Sequence, residues 1–288
     1  MRGEVRLVAL DVDGTLLDSR GRLSARVRQA VGRATAAGVR VTLATGRWPS
    51  LSLPLARELA LDTPLVLCGG ALVLRPAGEV LHRQEVPEGP FGRAVALLRR
   101  LGLPRLALSG ADAAADVYCE ELLPERVWAA VLRRGCSGWV RVADLAAEVP
   151  APLRLFTWGP PERLREAARR LAKLPLAVRV LSRVEADMAS VLGSAASGAA
   201  FRGVAGLELT APGVSKARGL SFLLGLLELD PRQVLAVGND HNDRELLRYA
   251  GWGVAVGNAV PELKALAREV TASNDEDGVA LILEKYVA

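Results

Sequence analysis

Residues 7–16 read LVALDVDGTL, an apolar run that ends in two aspartates and a glycine. The run predicts a buried strand. Because strand side chains alternate between faces, Asp11 and Asp13 would project to the same side at the point where the strand ends. Gly14 would then let the backbone turn away. Two neighbouring carboxylates repel each other and are costly to bury, so they favour a cation site. An ordinary loop with two solvated aspartates is the alternative that these residues alone leave open.

The following segment completes a strand-helix-strand unit. Residues 23–31 carry the pattern of an amphipathic helix, with Ser24 as its expected N-cap and Gly38 as its expected end. Residues 39–44 predict a second strand, and Thr45 follows it. A right-handed crossover makes the two strands parallel, so their carboxyl ends open at the same edge of the sheet. We therefore expect Thr45 to lie near the two aspartates.

A later part of the chain adds two more polar elements. Residues 233–237, apolar after Gln233, predict another strand, and a polar cluster, residues 238–243, follows them. Lys216 opens a helix that is predicted to run to Leu227, although a lone lysine in that position is usually a solvated surface residue. Ligands of open α/β sheets bind at the carboxyl ends of the strands. Polar groups that follow several elements of one sheet therefore predict a functional site at this edge.

The length and the pattern of elements predict two domains. The 288 residues exceed a typical single domain of roughly 100–200 residues. Residues 1–83 and 211–288 are predicted to form an α/β core, a doubly wound parallel sheet of Rossmann-like type, and residues 84–210 an inserted α+β domain. In the core, further strands are predicted at 64–68, 253–256 and 269–271, and a hairpin turn at 76–79. In the insert, helices are predicted at 91–101, 124–134 and 161–174, and strands at 106–108, 153–158, 177–181 and 206–210. The stretch 195–206, rich in Ala, Ser and Gly, fits either a mobile loop or a tightly packed helix.

The composition argues against several classes of function. The net charge is +5, but the arginines are spread among acidic residues, so no nucleic-acid partner is expected. No apolar run reaches the roughly 18 residues that a membrane span needs. The N-terminal residues pass directly into the first strand without the pattern of a signal peptide, so a cytoplasmic location is expected. Cys68, Cys119 and Cys136 lack the spacing of metal or redox sites.

Four motifs taken together resemble the haloacid dehalogenase (HAD) superfamily, and more closely its Cof-type phosphatases of subfamily IIB. The family pattern is DxDGTLL, a strand that ends in TGR, then GVSK, then GDxxND. This sequence has similar runs at residues 11–17, 44–47, 213–216 and 238–243, and the runs at 257–259 and 271–280 also look like the family. The resemblance covers about residues 5–83 and 207–285. The insert would correspond to the family's cap domain, which sets substrate specificity.

The resemblance implies a Mg²⁺-dependent phosphatase that hydrolyses small phosphorylated metabolites, such as sugar phosphates, through an aspartyl-phosphate. Asp11 would be the nucleophile. Asp13 would protonate the leaving oxygen and then activate water. Thr45 and Lys216 would bind the phosphoryl group and offset its charge.

The resemblance also implies a phosphate site and a metal site. Gly46 and Arg47 would contact the phosphate, although Arg47 could equally pair with a carboxylate. Asn239 departs from the family pattern, which commonly has Asp at this position, but an amide oxygen can still bind Mg²⁺. The implied metal ligands are Asp11, Asp13, Asn239 and Asp243, with Asp240 and Asn242 as alternatives.

Two other functions stay open at this point. A phosphomutase or phosphotransferase would pass the phosphoryl group from Asp11 to a second hydroxyl group instead of to water. A binding or regulatory protein on the same scaffold would need no catalysis, and the amide of Asn239 favours this alternative somewhat.

Overall fold

The computed structural model describes residues 5–109, 117–120, 139–181 and 205–287. Its contacts divide the chain into two compact units, one made of Met1–Gly46, Ser52–His82 and Ser215–Ala288 and the other of Arg47–Leu51 and Arg83–Val214. The predicted insert, residues 84–210, falls within the longer segment of the second unit. The segment Arg47–Leu51 was not expected to group with that unit.

Strands and helices alternate along most of the described chain. The strands are β1 (Leu7–Leu10), β2 (Arg40–Leu43), β3 (Leu65–Leu67), β4 (Leu72–Leu74), β5 (Val80–Arg83), β6 (Arg105–Ser109), β7 (Val117–Cys119), β8 (Trp139–Arg141), β9 (Pro152–Gly159), β10 (Ala177–Leu181), β11 (Ala205–Thr210), β12 (Val234–Gly238), β13 (Trp252–Ala255) and β14 (Glu269–Val270). The helices are α1 (Ala25–Ala36), α2 (Pro49–Glu58), α3 (Glu88–Arg100), α4 (Leu145–Glu148), α5 (Pro161–Leu171), α6 (Lys216–Leu227), α7 (Arg244–Tyr249), α8 (Pro261–Leu266) and α9 (Gly278–Tyr286). Within the described ranges, every helix is too short or too polar to cross a bilayer.

The first unit is built on a sheet of five parallel strands in the order β14-β13-β12-β1-β2. β1 lies between two neighbours, because Leu7 pairs with Val234 on one side and with Arg40 on the other. All four residues of β1 are buried, as in parallel sheets that are covered on both faces. The predicted α/β fold with a parallel sheet is confirmed.

The helix between β1 and β2 begins and ends close to the predicted positions. The Ser24 side chain accepts a hydrogen bond from the Val27 N–H at 3.1 Å, which satisfies one of the free donors at the helix start. α1 ends at Ala36, and Gly38 follows with a φ of +81°. Glycine adopts this left-handed conformation without steric cost, so it suits the turn into β2.

The predicted strand at 64–68 and the predicted hairpin form a separate sheet of three strands, in the order β3-β4-β5. The hairpin turn is closed by the Arg75 N–H, which donates to the Glu79 carbonyl at 2.8 Å. One isolated parallel bridge, between Ala44 and Val66, joins this sheet to the end of β2. Because β4 runs back against β3, the turn between them lies beside the end of β2.

The second unit has a six-stranded sheet in the order β10-β11-β9-β6-β7-β8, antiparallel except for the parallel pair β7-β8. Apolar side chains of α3 and α5 form a buried cluster with side chains of β6, β9 and β11. α3 begins at Glu88, ahead of the predicted helix start at residue 91. The helix predicted at 124–134 and most of the stretch 195–206 lie outside the described residues, but Ala205 and Gly206 begin β11.

Candidate active site

The two aspartates of residues 7–16 lie where β1 ends. The Asp11 N–H donates to the Val237 carbonyl at 3.0 Å, so Asp11 continues the sheet by one more bond. Residues 12–16 then form a tight turn, and the Leu17 N–H closes it by donating to the Val12 carbonyl at 3.1 Å. We call this turn, together with Asp11 and Leu17 at its two ends, the catalytic turn. Gly14 has a φ of +72° in this turn. The turn therefore depends on a conformation that glycine adopts most readily.

Lys216 connects this turn to the cluster that follows β12. It is the first residue of α6 and is 1% exposed. Its Nζ donates to Asp11 Oδ1 at 2.6 Å and to Asp243 Oδ1 at 2.6 Å. The alternative of a solvated surface lysine does not hold at this position, because both partners of the ammonium group are buried carboxylates.

The second oxygen of Asp11 has a partner that the sequence analysis missed. Thr15 Oγ1 donates to Asp11 Oδ2 at 3.0 Å, within the catalytic turn itself. The signal for this contact was present in the motif, since a threonine four residues after Asp11 faces back toward it once Gly14 turns the chain. Both oxygens of the Asp11 carboxylate therefore accept hydrogen bonds.

In this site the carboxylates of Asp11 and Asp243 share the ammonium group of Lys216. Burial, together with the charge of Asp243, raises the pKa of Asp11 to about 7 against the opposing effect of Lys216. Burial alone would lower the pKa of Lys216, but the two carboxylates outweigh it and raise that pKa above its ordinary value, so the side chain stays an ammonium group. Two carboxylates thus face one cation, and an additional positive charge near Asp11 would stabilise its ionised form.

Asp243 holds the loop after β12 in place, in addition to its contact with Lys216. Its Oδ2 accepts from the N–H groups of Asn239 and Asp240 at 2.9 and 3.1 Å. A side chain at Gly238 would collide with it, because an added Cβ would lie 2.5 Å from Asp243 Cγ. The two oxygens of Asp243 thus accept from three donors, one more than the two oxygens of Asp11 do. This arrangement suits an indirect role, in which Asp243 holds Lys216 and the loop, better than the direct metal ligation that was predicted as one possibility.

The other candidate ligands of the loop differ in where they lie. Asn239 lies against the catalytic turn, because its amide nitrogen is 2.3 Å from the position of a Cβ added to Gly14. Asp240 Oδ1 accepts from the His241 N–H at 2.7 Å and so caps its own short turn. Asn242 is exposed in that turn. Of these three residues, Asn239 is the one whose side chain is shown against the catalytic turn.

Thr45 lies at the end of β2, where parallel pairing with β1 carries it to the same edge of the sheet. It is 1% exposed, its N–H donates to the Val66 carbonyl at 2.9 Å, and its carbonyl accepts from the Gly69 N–H at 2.9 Å. Gly46 and Arg47 follow and are half-buried. Their predicted contact with phosphate stays a prediction.

Comparison with known proteins identifies the family. The sequence model of the haloacid dehalogenase-like hydrolase family matches residues 8–122 and 180–283. The chain belongs to this family. The match includes the regions at about residues 5–83 and 207–285 where the motifs had indicated the resemblance, and it extends beyond them into the insert.

Several HAD-like relatives resemble the chain over nearly its whole length. The 5-amino-6-(5-phospho-D-ribitylamino)uracil phosphatase YitU of Bacillus subtilis is 27% identical over 282 residues, which cover 97% of this chain and 97% of the relative. The HMP-PP phosphatase of Escherichia coli is 28% identical over 274 residues, covering 90% of this chain and 87% of the relative. A solved HAD-like hydrolase structure from Bacteroides thetaiotaomicron is 26% identical, with a TM-score of 0.79 and coverage of 98% of this chain and 99% of that chain.

These findings confirm the predicted membership among Cof-type HAD phosphatases and the predicted enzyme class, a phosphomonoesterase. HAD phosphatases in general use a divalent metal ion. Across the described residues, no three His, Cys, Asp or Glu side chains are grouped as a metal site would require. The predicted site instead combines carboxylates with the amide of Asn239. These are oxygen donors of the hard type that Mg²⁺ prefers, and the excess negative charge beside Lys216 fits a divalent cation.

Proposed function

We propose that this HAD phosphatase is Mg²⁺-dependent and hydrolyses small phosphorylated metabolites through an aspartyl-phosphate. The observation that carries the proposal is the buried Lys216 ammonium group, held 2.6 Å from Asp11 at the carboxyl edge of a parallel sheet. A carboxylate can attack a phosphoryl group only if its repulsion from the phosphate dianion is offset. Lys216 supplies a fixed positive charge at that place.

In the first proposed step, a carboxylate oxygen of Asp11 forms a bond to phosphorus while the bond from phosphorus to the ester oxygen breaks. Asp13, as a carboxylic acid, gives its proton to the departing alcohol oxygen. Thr15 and Lys216 hold the Asp11 carboxylate in one orientation, which lowers the cost of reaching an in-line geometry. Thr45 would donate to an oxygen of the phosphoryl group.

In the second proposed step, water attacks phosphorus, and Asp13 takes the proton that this water loses. The bond between phosphorus and Asp11 breaks, which releases inorganic phosphate and restores both aspartates. The side chain of Asp11, the backbone carbonyl of Asp13 and the amide of Asn239 would hold the metal ion, which would neutralise charge on the phosphoryl oxygens when bound. Asp243 would act through Lys216 and the loop instead of as a ligand.

The proposed substrate class has support from relatives that are named for the compounds they act on. YitU is named for a phosphorylated ribitylamino-uracil, and the Escherichia coli relative for HMP-PP. Both names describe small phosphorylated compounds. We propose the same class for this chain, with the choice of compound set by the second unit.

The test is phosphate release from a panel of phosphorylated metabolites by the purified chain, with and without Mg²⁺, and by the Asp11→Asn variant. We expect Mg²⁺-dependent release and a loss of about 1,000-fold or more in Asp11→Asn, because the nucleophile is removed. Equal rates for the variant and the wild type would contradict the covalent mechanism. An isomerised sugar phosphate without free phosphate would instead indicate a phosphomutase.

A further inference from the structure

Two asparagines late in the chain contact the catalytic turn. Asn258 Nδ2 donates to the Gly14 carbonyl at 2.8 Å, and Asn274 Nδ2 donates to the Leu17 carbonyl at 2.8 Å. The two are linked, because Asn258 Oδ1 accepts from the Asn274 N–H at 2.9 Å. We call Asn258 and Asn274 the asparagine clamp. It fixes two backbone carbonyls of the segment that carries Asp13.

The chemistry of the clamp requires an amide at position 258. The Asn258 side chain donates through its nitrogen and accepts through its oxygen, so both ends are used. Rotating the amide by half a turn would set its NH₂ group against the Asn274 N–H and its oxygen against the Gly14 carbonyl, which is unfavourable at both ends. A carboxylate at this position could keep the acceptor but not the donor.

The turn that bears Asn274 is itself docked along the segment that follows the catalytic turn. Asp275 Oδ1 accepts from the Ser19 N–H at 2.7 Å. Asp277 Oδ1 accepts from Ser24 Oγ at 2.5 Å. The clamp therefore belongs to a continuous line of hydrogen bonds and is not an isolated contact. The same line gives a role to the runs at 257–259 and 271–280, which the sequence analysis had left without one.

We propose that the asparagine clamp positions Asp13 for proton transfer to the leaving oxygen. Gly14 directly follows Asp13, so a shift of its peptide would move Asp13. The Asp11 carboxylate is also held from outside the turn, by Lys216 at 2.6 Å, so the nucleophile would move less. The inference rests on the proposed function, in which Asp13 is the proton donor. In these terms Asn258 and Asn274 are positioning residues, since they act through the catalytic turn.

A purely structural role would give a different signature from a positioning role. Asn258 is exposed, so loss of its hydrogen bond should lower the melting temperature by about 4 °C or less. A misplacement of about 1 Å near the reacting atoms can cost up to about 100-fold in rate. The effect of a misplaced acid should also depend on the substrate, because a good leaving group needs little protonation.

The experiment compares wild type, Asn258→Ala and Asn258→Asp with two substrates. These are p-nitrophenyl phosphate, which has a good leaving group, and an alkyl phosphate that the wild type hydrolyses. For both variants we expect kcat for the alkyl phosphate to fall about 10-fold or more, and kcat for p-nitrophenyl phosphate to fall about threefold or less. KM should stay within about twofold, because the substrate contacts are untouched. Asn274→Ala should give the same pattern with a larger fall in melting temperature, since Asn274 is buried.

The matched control is Thr35→Ala. Thr35 Oγ1 also donates to a backbone carbonyl, that of Gly32, at 3.0 Å, but on an exposed part of α1. Its kcat should be unchanged for both substrates. Equal losses on the two substrates in the Asn258 variants, or no loss in a folded variant, would overturn the inference and leave the proposed function intact. A wild type that hydrolyses neither p-nitrophenyl phosphate nor any alkyl phosphate tested would overturn both.

Discussion

At the scale of single residues, the site is organised around one ammonium group. Lys216 Nζ lies 2.6 Å from Asp11 Oδ1 and 2.6 Å from Asp243 Oδ1, and all three side chains are buried. Removing one of these three charged groups leaves a buried charge without its opposite charge, which lowers the free energy of unfolding. We therefore expect Lys216 and Asp243 to be coupled in stability as well as in rate.

The proposed metal ligand at position 239 gives a prediction at the same scale. Asn239 lies against Gly14, whereas Asp240 is engaged by the His241 N–H. We expect Asn239→Ala to weaken Mg²⁺ binding by about tenfold or more, and Asn239→Asp to strengthen it, because a carboxylate adds full charge to the donor set. Isothermal titration with Mg²⁺ alone, without substrate, measures both changes.

Asp240→Ala is the matched control for position 239, since it removes a neighbouring polar side chain of the same loop. Its Mg²⁺ affinity should stay near that of the wild type. A loss of affinity confined to Asp240→Ala would contradict the assignment and make Asp240 the ligand.

The candidate residues of the site could be predicted from the sequence more fully than the contacts between them. Asp11, Asp13 and Thr45 could be placed at one sheet edge because apolar runs and parallel crossovers follow simple periodic rules. The double role of Asp243 could not be predicted, since it depends on how residues 238–243 fold back so that two N–H groups meet one oxygen. Thr15 was missed because its contact depends on the left-handed turn at Gly14.

At the scale of elements, α6 is placed by close contact between backbones. A Cβ added to Gly70 would lie 1.9 Å from the Ser215 carbonyl oxygen, and a Cβ added to Gly219 would lie 3.0 Å from Gly70 Cα. Gly70 also has a φ of +98°. The start of α6, and with it Lys216, is therefore seated directly on the turn that follows β3.

Two glycines of α6 allow a matched test of this seating. Gly219→Ala should displace the helix, destabilise the protein by about 1–3 kcal/mol and reduce kcat, because overpacking forces the backbone apart. Gly225→Ala, where an added Cβ meets nothing within 4 Å, should stabilise the helix by about 0.5–1 kcal/mol and leave kcat unchanged. Chemical denaturation and steady-state kinetics on both variants make the comparison. Similar behaviour of the two variants would mean that the contact with Gly70 does not position Lys216.

The elements that the sequence missed are short. β7 and β8 have three residues each and pair in parallel, and α4 has four residues. Runs of this length carry too little periodicity to be recognised. The longer elements of the second unit, such as β9 and α5, were predicted because their apolar residues repeat over eight or more positions.

At the scale of the whole molecule, the second unit contains a buried ion-pair network that should make unfolding depend on pH. Glu120 accepts hydrogen bonds from Arg99, Arg105 and the Leu145 N–H, and its side chain is 7% exposed. Burial tends to raise the pKa of Glu120, but these donors and charges outweigh it and hold the pKa below its ordinary value of 4.5. Its stabilising contribution is therefore complete above that value and is lost as the pH falls through the lower pKa of the folded state.

We expect Glu120→Gln to lower the free energy of unfolding by roughly 2 kcal/mol at neutral pH, because the buried guanidinium group of Arg105 loses its anionic partner. The difference from the wild type should shrink as the pH falls below 4.5, because protonation of the wild-type carboxyl group removes the same charge. Denaturation curves at about pH 7 and about pH 3.5 measure this change. Glu79→Gln, which removes an exposed partner of Arg75, is the control and should show little effect at either pH. An equal deficit for Glu120→Gln at both values would contradict the assigned pKa.

The position of β1 has a consequence for how the protein is made. β1 is synthesised early and can pair with β2 soon afterwards, but its other neighbour, β12, follows the whole of the second unit in the chain. Until β12 leaves the ribosome, one edge of an apolar strand has no native partner, which favours association with other chains. Folding of the inserted unit, whose contacts are closer in sequence, would shorten the loop that separates the two strands and lower the entropy cost of joining them.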